Sequence, residues 1–261
     1  MRKIWWIVCL AVLLTCVSAC GEKDTSISRI RSKGSLRVGV KVDVPRFGYL
    51  NPATGELEGL EIDLSRLIAE DILGNSQSVE LVGVTAQTRE PMLENGELDI
   101  VIATFTITEE RSKRFHFSRP YYHDEIGLLV RNDSVVSEIA DMDGKTVGIV
   151  NSGTAYNALV TEAELRGIEL SYREFASYPE VNAALLAGEI DAFSVDKSIL
   201  MGYKSEGTHI IEEGFNAQEY GIAVAKDSDE LAKHLDALME EIQKDGRLDE
   251  ILARWGLEMA E

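Results

Sequence analysis

Residues 91–104 read PMLENGELDIVIAT and residues 183–196 read AALLAGEIDAFSVD, and the two stretches align without a gap. Each is the end of an amphipathic helix, a glycine stop (Gly96, Gly188), a Glu-Leu/Ile-Asp step and an apolar strand. The register pairs Asp99 with Asp191 and Thr104 with Asp196. Helix-glycine-strand joints are common, so a chance likeness stands as the alternative. Taken as a repeat, it divides the chain into two α/β lobes of related build. In open α/β sheets ligands sit beyond the carboxyl ends of strands, which makes Thr104 and Asp196 candidates for opposite walls of one cleft.

The flanking sequence supplies the remaining elements. Ser35 to Val42 alternates like a strand, and Leu64, Leu67, Ile68 and Ile72 give residues 63–72 helical spacing, a β-then-α opening. Lys145 to Val150 reads as a strand that runs into Asn151-Ser152-Gly153-Thr154-Ala155, with a helix expected over 156–165. A strand feeding such a turn at a helix N-terminus presents free N–H groups and a positive dipole end, a seat for a carboxylate. Ser177-Tyr178-Pro179-Glu180 fits a capping box with proline at the first helical position. Residues 229–245, stopped by Gly246, and 248–255 read as two terminal helices.

The N-terminus fixes where the chain works. Arg2 and Lys3, an apolar run from Ile4 to Leu14 and the small-residue site Val17-Ser18-Ala19 read as a signal peptide, with a retained membrane helix as the alternative. Val17-Ser18-Ala19-Cys20 resembles the bacterial lipobox, which implies a mature protein that starts at a lipidated Cys20 and is held to the membrane by that anchor alone. Cys9, Cys16 and Cys20 all lie at or before the cleavage point, so disulfides and cysteine catalysis are excluded from the globular part. Loss of residues 1–19 removes two bases and no acid, taking the formal charge from −19 to −21. Nucleic acid is therefore a poor partner, and an acidic ligand needs cations gathered in a pocket.

No nucleophile elbow, HExxH helix, Walker loop or dinucleotide fingerprint is present, and His116, His123, His209 and His234 show no metal-ligand spacing. No cofactor or metal is expected. Ala103 to Arg111 instead leaves a strand through alternating threonines (Thr104, Thr106, Thr108) and reaches an arginine, whose guanidinium can grip a planar carboxylate. The alternative is that Arg111 pairs with Glu109 or Glu110 on a solvated helix face.

ATFTITEERSKRFHFSRPYY (103–122), GVKVDVPRFGY (39–49), GLEIDL (59–64), TAQTREPML (85–93) and DAFSVDKSIL (191–200) together resemble the extracytoplasmic amino-acid-binding proteins of bacterial ABC importers, most of all the glutamate/aspartate branch. The likeness implies an α/β, two-lobed periplasmic-binding-protein type II fold with two crossover strands at the hinge, near 121–125 and 216–220. It also implies a signal peptide over 1–19, a lipidated N-terminus and linker over 20–34, and a first lobe over 35–122. A second lobe then covers 123–218, and 219–261 returns to the first. By the same likeness Arg111 and the amides near Thr106, Thr154 and Ala155 hold the α-carboxylate, while Asp196 and oxygen from 104–106 hold the α-amino group. Arg89 and Lys41, with help from Tyr178, meet a side-chain carboxylate; ordinary surface charge is the alternative for both cations. Asn151 and Val195 stand where glutamine-binding relatives resemble Lys and His.

Three cations facing one acid suit a ligand with two carboxylates and one ammonium, and a neutral ligand would leave buried cations uncompensated. The expected activity is capture of L-glutamate or L-aspartate by a monomeric receptor that delivers it to permease subunits, not catalysis. Glutamine or cystine binding is the first alternative. An enzyme resembling cyclohexadienyl dehydratase on the same scaffold, with Asp196 or Glu219 as general catalyst, is the second.

Overall fold

The computed structural model describes residues 25–258, so the signal peptide and Cys20 lie outside the described residues. The chain opens with α1 (Ser26–Lys33), β1 (Leu36–Val40) and a small antiparallel sheet of β2 (Asp43–Val44), β3 (Gly48–Leu50) and β4 (Leu57–Glu58). Next come α2 (Leu60–Leu73), β5 (Val79–Gly83), α3 (Arg89–Glu94), β6 (Ile100–Ile102), α4 (Glu109–Arg114) and β7 (Phe115–Phe117). The long β8 (Tyr122–Arg131) leads into β9 (Thr146–Val150), α5 (Ala155–Arg166), β10 (Ser171–Phe175), α6 (Tyr178–Leu186), β11 (Ala192–Asp196), α7 (Lys197–Tyr203) and β12 (Thr208–Ile210). The chain ends with β13 (Phe215–Tyr220), β14 (Ala223–Ala225), α8 (Asp229–Lys244) and α9 (Arg247–Arg254).

Two sheets result, ordered β5-β1-β6-β14-β7 and β10-β9-β11-β8-β12. In each, three parallel strands stand in the same order and a fourth strand packs antiparallel beside the third. The repeat is thus a repeat of structure. Gly96 and Gly188 both take φ above +70°, where a side chain would be strained, and both turn the chain out of a helix. The carboxylate of Asp99 accepts the Arg37 N–H at 2.8 Å at the start of β1, and that of Asp191 accepts the Thr146 N–H at 2.8 Å at the start of β9. The same acid therefore fastens the third strand to the first in both lobes.

Each lobe has its own core. Leu36, Val38, Leu64, Ile68, Leu231 and Leu235 pack between sheet and helices in the first, and Ile126, Leu128, Val147, Ile149 and Leu159 in the second. Each such fully buried aliphatic contributes about 1.5–3 kcal/mol of transfer free energy. The two chain crossings pair antiparallel, β8 with β13, with Tyr122 opposite Tyr220 and Asp124 opposite Gln218. The lobes are closed on each other: Tyr203 Oη donates to the Asp43 carbonyl, and a Cβ on Gly202 would lie 3.0 Å from the Pro45 ring.

Three local expectations are revised. Residues 26–33, within the stretch read as linker, form α1, because Ile27 and Ile30 share one helix face and enter the core. The helix expected over 63–72 begins at Leu60, which puts Glu61 on its buried face. At α6 the Ser177 hydroxyl makes no cap, Glu180 accepts the Ala176 N–H at 3.1 Å, and Pro179 sits second in the helix. Among the described residues no helix is long and apolar enough to cross a membrane.

Candidate functional site

The site is assembled where β6 and β11 end. Past Ile102 the chain cannot continue as a regular strand, because Thr104 has φ 43°, a left-handed conformation that a β-branched residue avoids. Two buried side chains hold it there. The Glu61 carboxylate accepts the Thr104 N–H and the Tyr121 hydroxyl, and Arg89 Nη1 donates to the carbonyls of Ala103 at 2.6 Å and Thr104 at 3.2 Å. The Ala103–Thr104 peptide group is thus gripped by a carboxylate at its N–H and a guanidinium at its C=O. The Thr104 hydroxyl is buried without a hydrogen-bond partner among the described residues.

Thr104, Thr106, Arg89 and Arg111 from the first lobe face Val150, Gly153, Thr154, Ala155, Tyr178 and Asp196 from the second across a narrow cavity. Eight of the nine ligand-binding residues expected from sequence line it. Lys41 is the exception. Its ammonium pairs with Asp43 at 2.9 Å and lies 4.8 Å from the centre of the Tyr178 ring.

Arg111 is buried and spans the cleft. Its Nη1 donates to the Thr106 carbonyl at 3.0 Å and its Nη2 to the Ser152 carbonyl in the other lobe at 3.1 Å. Its Nε reaches Glu90 at 3.2 Å, so its acid partner is neither Glu109 nor Glu110. Burial, reinforced by Arg89, lowers its pKa to about 10. Arg89 stacks 4.2 Å from the centre of the Phe105 ring, makes no ion pair among the described residues, and has a buried Nε with no partner. Burial lowers its pKa too.

Asp196, the last residue of β11, is buried and accepts the Tyr220 hydroxyl from the crossing strand β13. Tyr220 Oη also approaches Asp124 at 3.4 Å. Desolvation, then the Asp124 carboxylate, pushes the Asp196 pKa up to about 7. Opposite it, Thr154 Oγ1 donates to Gln218 Oε1 at 2.9 Å, fixing the first turn of α5, whose leading N–H groups lack intrahelical acceptors.

Glu61, Glu90, Asp43, Tyr121 and Tyr220 were not singled out from sequence. Two of them carry a usable signal: Glu61 is an acid on the helix face shared with Leu64 and Ile68, and Asp43 stands two residues from Lys41 in an extended segment. The count of three cations to one acid is revised accordingly, since Lys41 and Arg111 each have a carboxylate partner and, of the three, Arg89 alone lacks one among the described residues.

Residues 36–258 match the family of bacterial extracellular solute-binding proteins, family 3. The chain is 35% identical to the ABC transporter glutamine-binding protein GlnH of Bacillus subtilis (strain 168), over 98% of this chain and 97% of that one. It is 31% identical to the glutamate-binding protein GluB of Corynebacterium glutamicum, covering 90% and 84%. Among solved structures, an ancestral arginine-binding protein bound to glutamine superposes with a TM-score of 0.77 at 33% identity, covering 86% of this chain and 99% of the other.

Proposed function

From a chain that belongs to the bacterial extracellular solute-binding proteins of family 3, and so to the amino-acid receptors of ABC transporters, we propose a lipid-anchored, monomeric receptor for an acidic L-amino acid, glutamate or aspartate. One observation carries the acidic reading: of the two guanidinium groups in the cavity, only Arg89 lacks a carboxylate partner among the described residues, and its Nε is unused. A buried guanidinium with no carboxylate bonded to it is expensive, and a side-chain carboxylate is the group that relieves it.

In this reading the ligand α-carboxylate lies on Arg111 and the N–H groups at Thr154 and Ala155. The α-ammonium lies between Asp196 and the free Thr104 hydroxyl, with oxygen from Thr106 nearby. Tyr178 covers the side chain, and Lys41, neutralised by Asp43, stays behind it. The chain carries the ligand to permease subunits and leaves its bonds unchanged. Lipidation at Cys20 ties it to the outer side of the cell membrane.

Glutamine is the second reading, favoured by the ion pairs of Lys41 and Arg111, which leave less positive charge for a second carboxylate than the sequence alone suggested.

Isothermal titration of residues 21–261 with L-glutamate, L-aspartate, L-glutamine, L-cystine and prephenate tests both readings. Binding confined to glutamate and aspartate supports the first, and preference for glutamine the second. Conversion of prephenate to an aromatic product would overturn the receptor assignment. Loss of fatty-acid labelling in Cys20→Ala checks the anchor.

A further inference from the structure

We propose that Glu61 is a specificity-determining positioning residue: a buried counter-charge to Arg89 that stays ionised when the ligand side chain is a neutral amide and takes up a proton when it is a carboxylate. The inference rests on the receptor reading above and concerns how one pocket treats ligands that differ by one charge.

Glu61 is fully buried on the first turn of α2. Its Oε1 accepts two hydrogen bonds, from the Thr104 N–H and the Tyr121 hydroxyl, while its Oε2 is buried with no partner. An isolated apolar core has no use for a half-satisfied carboxylate, which costs far more than the methylenes it replaces. The charged and titratable groups around it are Tyr121 just before β8, Lys41 just after β1 and Arg89 at the start of α3, and Glu90, whose own charge is taken up by Arg111 and Arg114, also acts on Arg89. Asp43 lies on the far side of Lys41, and Arg254 from α9 turns instead to Asp63 on the exposed side of α2.

Glu61 and Arg89 meet through one peptide group, Ala103–Thr104, the carboxylate on its N–H and the guanidinium on its C=O. The cation that touches the cavity is thus backed by an anion one peptide away. When the ligand brings no side-chain charge, ionised Glu61 balances Arg89. When it brings a carboxylate, two anions flank one guanidinium in a dry site, and the one with an unsatisfied oxygen is the one to accept a proton from solvent. Desolvation sets the Glu61 pKa at about 7, so that exchange falls in the neutral range. Neutral Glu61 keeps its grip on Thr104, because Oε1 remains an acceptor while Oε2 carries the proton.

The test is titration calorimetry of the whole mature protein with glutamate and glutamine at pH 7.5, in phosphate and in Tris. The two buffers differ in ionisation enthalpy and so count protons. Glutamate is expected to bind with uptake of about one proton more than glutamine. In Glu61→Gln, whose amide oxygen still accepts from Thr104 and Tyr121, that difference disappears and the glutamate-to-glutamine affinity ratio rises about tenfold, while Glu61→Asp restores both. Equal proton counts for the two ligands in the unmodified protein overturn the inference alone. An unchanged affinity ratio in a folded Glu61→Gln protein does the same. Binding of neither amino acid overturns the receptor reading and this inference with it.

Discussion

Glu61 and Thr104 lie forty-three residues apart and are joined by one hydrogen bond, from the Thr104 N–H to the Glu61 carboxylate. That bond holds a threonine at φ 43° and leaves its hydroxyl free inside the cleft. Backbone strain of about 1–3 kcal/mol is tolerated here because the surrounding side chains over-determine it.

In the proposed binding mode that hydroxyl meets the ligand. Thr104→Val keeps the β-branch and replaces the hydroxyl by a methyl group, so thermal stability stays within about 2 °C because no hydrogen bond within the protein is lost. A hydrogen bond to a charged group is worth about 1.5–3 kcal/mol, so amino-acid affinity falls about 10- to 100-fold. Calorimetry beside a melting curve checks both; a large loss of stability with unchanged affinity would refute the role.

Asp196 and Glu61 both have pKa values raised to about 7, desolvation being the main cause in each. A raised carboxyl pKa means the native protein holds protons that the unfolded chain has already released. The ligand-free protein therefore loses stability as pH rises from about 4 to 7 and levels off above that. Asp196→Asn removes one of the two groups, so it flattens this slope and raises the midpoint more at pH 8 than at pH 5. The same substitution abolishes high-affinity binding. Melting curves at pH 5, 6, 7 and 8 decide the sign.

Lys41 separates the role read from sequence from the one read from structure. Its ammonium is paired with Asp43, so Lys41→Met strands a partly buried acid and costs about 3–5 kcal/mol of stability, while replacing both partners by apolar residues is close to neutral. In the double variant the glutamate-to-glutamine ratio changes less than about threefold, because the pair removed carries no net charge. Denaturant titration of Lys41→Met and of the double variant Lys41→Met/Asp43→Leu provides the check. A tenfold loss of glutamate alone would instead mean that Lys41 meets the ligand.

Gly202 sits where the lobes touch, with the Pro45 ring 3.0 Å from any added Cβ. Gly202→Leu wedges the lobes apart. Each 1.4 kcal/mol so imposed on the closed form lowers affinity tenfold, with no lining residue of the cavity altered. Small-angle scattering in saturating ligand should show a larger radius of gyration than the unmodified protein, and equal radii would rule the wedge out.

How far the molecule was legible in its sequence depends on the range of the interaction concerned. The repeat around Gly96 and Gly188 was visible because a glycine stop and the acid that follows it are local chemistry, and the acid does the same work in both lobes. Thr104 and Asp196 were legible as strand-end residues, and both line the cavity. Partner choice was not. Glu90 reaches Arg111 from another helix and Tyr220 reaches Asp196 from a crossing strand, and nothing in spacing or composition joins them. The Lys41–Asp43 pair was within reach, since alternate residues of an extended segment share a side. The residues that line the cavity were largely legible; the charge balance among them was not.

The antiparallel fourth strand of each sheet has a consequence for synthesis. The second lobe lays down five of the six strands of its sheet within residues 122–210, and only the crossing strand β13 joins later. In the first lobe an inner strand comes late: β14 threads between β6 and β7, setting Ala223 beside Val101 and Phe117, and Leu231 and Leu235 of α8 complete the core. More than a hundred residues must be made between those partners, so the amino-terminal half of the chain has no finished core until its last helices emerge. In a family that works outside the cytoplasm, a lobe that cannot lock early leaves the chain threadable through an export channel.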